Sequence, residues 1–211
     1  MNAVTTVPPR APDQPGDSLA SVLVTDALAR RPTRRPDHAA EVAALHQLAH
    51  ALGGAPDTLL RLLVEQALWL CDAGSSGISL LEPGPDGDAD ATFRWTALAG
   101  AFAGHEGGTT PRHFSPCGAC LDQGRAVLLA HPERRFTYLQ AVGIPLVEGL
   151  VLPFAVRGVP AGTVWVVSHR DARRFDLEDV RIMSALAAFT GAAYTLMCRP
   201  SPVDPPARPR G

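Results

Sequence analysis

Between Arg112 and Asp122 the chain reads RHFSPCGACLD, and here residue types and spacing could do chemistry. Ser115 can cap a helix, because its hydroxyl accepts an orphan backbone N–H. Pro116 suits the first helical position, where its missing donor costs nothing. Cys117 then falls in the first turn, where the positive end of the helix favours a thiolate. Cys120 follows one turn on, and the pair could close into a disulfide with Cys117 as the activated member. Three roles stay open for this dithiol. Cys117 could pack under the loop with Cys120 toward the core; the two could sense redox state; or they could supply half of a metal site. A zinc site needs four ligands, usually as two pairs. His113 lies close, and His105 and His131 are further candidates, but no second paired motif exists. No metal or cofactor is expected.

Just upstream, Gly107-Gly108-Thr109-Thr110-Pro111-Arg112 combines flexible glycines, two hydroxyls and a guanidinium beside the start of a helix. Such a loop can receive a carboxylate or phosphate. A small anion held by Thr109, Thr110, Arg112, His113, Ser115 and Cys117 is the sharpest binding expectation. The competing reading is a structural turn in which Arg112 pairs with an internal acid.

Helices and strands must position these residues. Asp37 is a candidate cap for a helix over Asp37 to Leu52, ended by Gly53-Gly54. Asp57 is the expected cap of a second helix, in which Leu60, Leu63, Val64, Ala67, Leu68 and Cys71 recur at helical spacing, making Cys71 an inert core thiol. Ser75 to Leu81 and Thr92 to Leu98 read as strands joined by a turn rich in Pro, Gly and Asp. Arg125 to Ala130 reads as a strand and Glu133 to Val142 as a short helix. Leu146 to Val156 and Thr163 to His169 form a hairpin turning around Gly158 to Gly162. On the last strand Trp165 and His169 share parity, and so share a face. A long helix over Leu177 to Met197 closes the pattern, capped by Asp176, with Glu178 and Asp179 at its positive end. Met183, Leu186, Ala187, Ala193 and Tyr194 line one face and Ile182, Ala185, Phe189 and Ala192 another, so it needs two neighbours. This order of elements is an α+β layer pattern.

Composition narrows the functions. The chain has 211 residues, 46% of them hydrophobic, and a formal net charge of −2. That suits one domain with tails, with no basic footprint for nucleic acid and no polybasic membrane patch. All 19 basic residues are arginine, which removes lysine Schiff-base chemistry and the phosphate-binding P-loop. The most apolar stretch, Gly149 to Val156, is far shorter than the roughly 20 residues that span a bilayer. No apolar run follows a basic start, so a cytoplasmic location is expected, with Cys71, Cys117, Cys120 and Cys198 mostly reduced. Residues 1–36 are expected to be disordered or linker, with a short helix over Ser18 to Arg31 and a basic linker over Arg30 to Pro36. The folded domain is expected over 37–198, and a disordered proline-rich tail over 199–211.

The SPCGAC segment, with FTYLQ at Phe136 to Gln140, GTVWVVSH at Gly162 to His169 and RRFDLEDVRIMSALAAF at Arg173 to Phe189, resembles a GAF domain. More narrowly it resembles the GAF sensor modules with an SPCG or GPCG loop that accompany bacterial histidine kinases. The likeness runs from about Thr25 to Met197. It implies an antiparallel sheet of about five or six strands, with N- and C-terminal helices on one face and a loop-covered pocket on the other. It places Phe136 and Tyr138 beside that pocket, with Trp165 on the hairpin, and makes Phe175 an anchoring aromatic. Cys120 departs from the subgroup pattern. Neither Cys117 nor Cys120 is followed by histidine, which speaks against covalent bilin binding. The cysteine spacing also differs from that of the free methionine sulfoxide reductases.

The resemblance implies a non-catalytic sensory module that binds a small molecule and signals to a separate protein such as a histidine kinase. A homodimer through the terminal helices is expected. The alternatives are a thiol redox sensor or weak reductase using Cys117 and Cys120, and a ligand-free dimerisation scaffold.

Overall fold

The computed structural model describes residues 18–85 and 87–197. The expectations for the two proline-rich ends and for Cys198 lie outside the described residues. Helix α1 (Leu19–Val22) and a 3-10 segment (Thr25–Arg30) precede α2 (His38–Ala51) and α3 (Pro56–Leu70). Strands β1 (Ser75–Gly84), β2 (Gly87–Gly100) and β3 (Thr109–Pro111) lead to α4 (Pro116–Gln123). Then come β4 (Val127–Ala130), two 3-10 segments (Pro132–Arg134 and Thr137–Val142), β5 (Glu148–Val156), β6 (Val159–Ser168) and α5 (Leu177–Met197). The segment expected as one short helix after β4 is thus two tighter turns. Asp37 caps α2 by accepting the Ala40 N–H at 3.0 Å. Helix α3 starts earlier than its expected cap: Ala55 holds the cap position, Pro56 the first turn, and Asp57 lies inside it.

The six strands form one antiparallel sheet in the order β3-β2-β1-β6-β5-β4. Short β3 on one edge has no strand signal of its own in the sequence. Period-two alternation divides the apolar residues between the two faces. Ile78, Leu128, Leu150, Leu152, Val164 and Val166 pack with α2, α3 and α5. Val127, Leu129, Val151, Trp165 and Val167 pack in a second core on the other side, with α4 and the loops around it.

One irregularity decides what the second core contains. The β1–β2 register passes from Ile78 opposite Ala97 to Ser79 opposite Trp95, leaving Thr96 as an extra residue. A bulge of this kind reverses the alternation of the strand that carries it. Phe93 and Trp95 therefore face the same side as Leu98, while Ala97 and Ala99 face the helices.

Within residues 18–36, Val22 to Arg34 make specific contacts with the rest of the fold. Leu23 bridges to Leu129 on the open edge of β4, and the Val24 N–H donates to the Leu128 carbonyl at 2.8 Å. Val22 is buried in the second core and Leu28 in the first, so this arm crosses the sheet edge from one core to the other. Two arginines fasten it. Arg31 grips both oxygens of Glu148, which is 1% exposed, at 2.9 and 2.5 Å. Arg34 meets the fully buried Asp179 at 2.7 Å. These buried carboxylates thus recruit charges from upstream of Asp37.

Helix α5 opens as the sequence suggests. Asp176 accepts the N–H groups of Glu178 and Asp179, and Asp179 returns a bond to the Asp176 N–H at 2.9 Å, a reciprocal cap. Its 21 residues are long and apolar enough to cross a membrane by length and composition, a feature missed by taking Gly149 to Val156 as the most apolar stretch. Here the helix lies against β5, β6 and α3. Met183, Leu186, Ala187 and Ala193 are buried as expected, whereas Ala192 is exposed.

Candidate functional site

The second core encloses a half-open cavity of about 50 Å³. The sheet supplies one side through Trp165 and Val167 of β6, Gly149 and Val151 of β5, and Leu129 of β4. Trp95 and Phe102, from β2 and its exit, stand at one flank, and Thr110 of β3 completes it. Pro116 and Cys117 of α4 cover it together with Tyr138, Leu139 and Pro132.

Each wall has a local cause. Ser115 accepts the Gly118 N–H at 3.0 Å and Pro116 takes the first turn, so the SPCG segment starts α4 as its residues dictate. A Cβ on Gly118 would lie 1.9 Å from the Arg112 carbonyl oxygen, and only glycine lets the loop pass so close. On the opposite side a Cβ on Gly77 would lie 2.3 Å from the Trp165 ring, so this glycine makes room for the indole over the sheet. The indole N–H donates to Ser79 Oγ at 2.9 Å. Phe102 is 5.9 Å from Trp95 and 5.7 Å from Trp165, ring to ring. Behind it His169, on the same face as Trp165, stacks on Phe102 at 5.8 Å. Its Nδ1 donates to the Pro145 carbonyl and its Nε2 accepts from Ser75 Oγ, both at 2.7 Å. A carbonyl can only accept, so these partners fix the tautomer.

Burial dominates the electrostatics. It raises the Cys117 thiol above its ordinary value, although the neighbouring Thr163 and Ser79 hydroxyls pull the other way. Burial likewise raises Cys120, whose Sγ lies 3.3 Å from the Arg125 carbonyl and 3.4 Å from that of Val151. The thiolate that a helix start favours is thus disfavoured at Cys117, because loss of solvent outweighs the helix end. Cys71, Cys117 and Cys120 are free. Tyr138 is also held well above its ordinary pKa by burial. Its hydroxyl lies near enough to Thr110 for that residue to oppose the shift, yet neither hydroxyl reaches a hydrogen bond of ordinary geometry.

Of the nine ligand candidates, Thr110, Cys117, Tyr138 and Trp165 line the cavity. Ser115 is the helix cap, Phe136 packs edge-on against Phe114 at 5.4 Å, and Thr109 sits beside Thr110 on β3. His113 is exposed on the loop. Arg112 turns to Asp122 at 2.6 Å and to the Gly118 carbonyl at 3.3 Å. The pairing with an internal acid, weighed against anion binding, is the arrangement found. No charged side chain lines the cavity. Trp95, Phe102 and Gly149 escaped sequence reasoning. Trp95 was within a strand of undetermined facing, and Gly149 is informative only once its neighbours are known. Among the described residues no three His, Cys, Asp or Glu side chains are grouped to hold a metal ion.

A curled antiparallel sheet with helices on one face and a loop-covered apolar cavity on the other defines the class as an α+β domain with a concave apolar pocket. A family model for the GAF domain matches residues 53–194, and the chain belongs to that family. Solved structures agree. A GAF domain from a phosphoenolpyruvate-protein phosphotransferase of Coxiella burnetii shares 14% identity with a TM-score of 0.63, over 76% of this chain and 96% of that one. The second GAF domain of DevS from Mycobacterium smegmatis shares 23% with a TM-score of 0.54, over 68% and 95%. Free methionine-R-sulfoxide reductase from Neisseria meningitidis, solved with its substrate, shares 16% with a TM-score of 0.60, over 80% and 98%. At these identities the likeness speaks for the fold. No curated protein matches the sequence.

Proposed function

We propose that this chain is a non-catalytic sensory GAF module that takes a small molecule into the cavity between β5, β6 and α4 and signals its occupancy to a partner protein such as a histidine kinase. The observation that carries the reading is the cavity itself, apolar and aromatic, with the Thr110 and Tyr138 hydroxyls buried beside it without hydrogen-bond partners. Sites for small molecules have this make-up: apolar walls and a few convergent polar groups. No carboxylate, imidazole or cation lines the cavity, and its one thiol is kept protonated, which supports binding over catalysis. The same protonation disfavours the redox alternative, since the thiolate is the reactive form. A cytoplasmic, bacterial two-component setting fits the SPCG resemblance. Exposed Val42 on α2 and Leu196 on α5 support a homodimer through the helical face.

Gly149 provides the test. A Cβ added there meets nothing within 4 Å, so a larger side chain grows into open space over the sheet. A thermal-shift screen of small molecules should yield hits on the parent protein that vanish in Gly149→Val. Hits that persist unchanged in the folded variant would place binding elsewhere.

A further inference from the structure

We infer that the cavity selects an uncharged single-ring or short branched molecule bearing one hydroxyl or carbonyl oxygen, which docks between Thr110 and Tyr138. This rests on the cavity being the sensory site. It replaces the anionic ligand that the sequence suggested, and the reason is electrostatic. Removing a carboxylate or phosphate from water costs far more than removing a neutral group, unless a counter-charge receives it. The guanidinium that could serve, Arg112, is held by Asp122 and the Gly118 carbonyl. The helix start that could serve is closed by its own cap, Ser115 on the Gly118 N–H. The cavity thus offers an ion no compensation.

What it does offer is specific. Thr110 is 3% exposed, and its Oγ1 has no hydrogen-bond partner; the Tyr138 hydroxyl, also buried, has none either. An orphaned buried hydroxyl is costly, and a ligand that satisfies it recovers that cost on binding. Each hydroxyl can donate and accept. A carbonyl oxygen, with two lone pairs, can accept from both; a ligand hydroxyl can accept from one and donate to the other. The rest of the ligand meets Trp95, Phe102 and Trp165, whose rings suit an apolar or aromatic body. The volume of about 50 Å³ confines that body to a few heavy atoms, or to one ring seated toward the half-open side.

Phenol, toluene and benzoate separate the terms, since they share a ring and differ in an uncharged oxygen, no oxygen and a charge. Quenching of tryptophan fluorescence reads binding by the intact protein. Phenol should bind more tightly than toluene and at least about tenfold more tightly than benzoate. Thr110→Val and Tyr138→Phe should each weaken phenol about three- to tenfold and leave toluene unchanged. Thr110→Val should also leave the melting temperature of the unliganded protein undiminished, because the hydroxyl it removes makes no hydrogen bond of ordinary geometry in the protein; a structural hydroxyl would lower it. Benzoate binding as tightly as phenol, lost in Gly149→Val, would overturn the uncharged class and keep the sensory site. Phenol affinity equal in parent and both hydroxyl variants would overturn the docking residues. If none of the three quenches saturably, the uncharged single-ring ligand is overturned, while the sensory reading is decided separately by the thermal-shift screen against Gly149→Val.

Discussion

Gly118 is the residue on which the cavity cover depends most directly. Its missing Cβ lets the Arg112 carbonyl approach, and the atom that a methyl would strike is backbone, which cannot swing aside. Gly118→Ala should cost about 1–3 kcal/mol in urea unfolding, the usual penalty for overpacking. A loss below experimental error would mean that the loop adjusts freely and is no rigid cover. The cysteines make a prediction with a definite sign. Burial raises Cys71, Cys117 and Cys120 in the folded state, while in the unfolded chain each titrates near its ordinary value of about 8.5. Above that pH the unfolded state releases protons that the folded state keeps. The stability from buried thiols is therefore full below about pH 8.5 and declines as pH rises, by up to about 1.4 kcal/mol per pH unit for each thiol. Unfolding measured between neutral and alkaline pH should show this decline, and Cys120→Ala should make it shallower. An unchanged slope in that variant would show that Cys120 ionises alike in both states. At neutral pH, alkylation of Cys117 should be slower than that of free cysteine; faster reaction would restore the redox alternative.

Among the elements, the N-terminal arm and α4 act on the same sheet edge. The arm occupies the outer side of β4 through Leu23, and Leu129, its bridging partner, lines the cavity. Arg31 ties the arm to Glu148 at the start of β5 and to the Phe175 carbonyl at 2.6 Å. Removing one partner of a buried pair leaves the other charge without compensation, at a cost of about 3–5 kcal/mol. Arg31→Ala should fall near the low end, about 3 kcal/mol, because Arg31 is in part solvated and Arg174 lies 3.6 Å from the same carboxylate. Equilibrium unfolding measures the loss, and hydrogen exchange at Val24 and Leu128 should accelerate with it. Protection retained at those amides would show that the backbone pairing holds the arm without the ion pair.

At the scale of the whole molecule, the two cores have different tasks. The helix-side core, built on α2, α3 and α5, is continuous and closed around Phe175 and Met183. The other core is interrupted by the cavity, so ligand binding adds contacts that the empty protein lacks. A ligand at about one hundred times its dissociation constant stabilises the folded state by about 2.7 kcal/mol. For a domain of this size that corresponds to a rise of about 5–10 °C in melting temperature. Phenol should approach this shift at saturation in the parent and not in Gly149→Val. An equal shift in both would place the stabilising contact outside the cavity.

What the sequence determined by itself was local. Ser115 and Pro116 favour the start of α4 from the sequence alone, because a cap and a fixed φ act within one turn. Asp37 and Asp176 likewise announced α2 and α5, and the apolar hairpin after Leu146 announced β5 and β6. Together with the motifs these made the GAF fold legible. The site was legible only in part, because its properties are relations between distant residues. The Thr96 bulge, visible only against the β1 register, turns Trp95 and Leu98 to one face. Asp122 pairs with Arg112 at 2.6 Å, and sequence could pose that pairing but not choose it. Packing removes solvent from Cys117, and that loss outweighs the groups that favour its thiolate. Short-range hydrogen bonding and backbone restriction are written along the chain, whereas desolvation, charge pairing and enclosed volume exist only once the chain has folded.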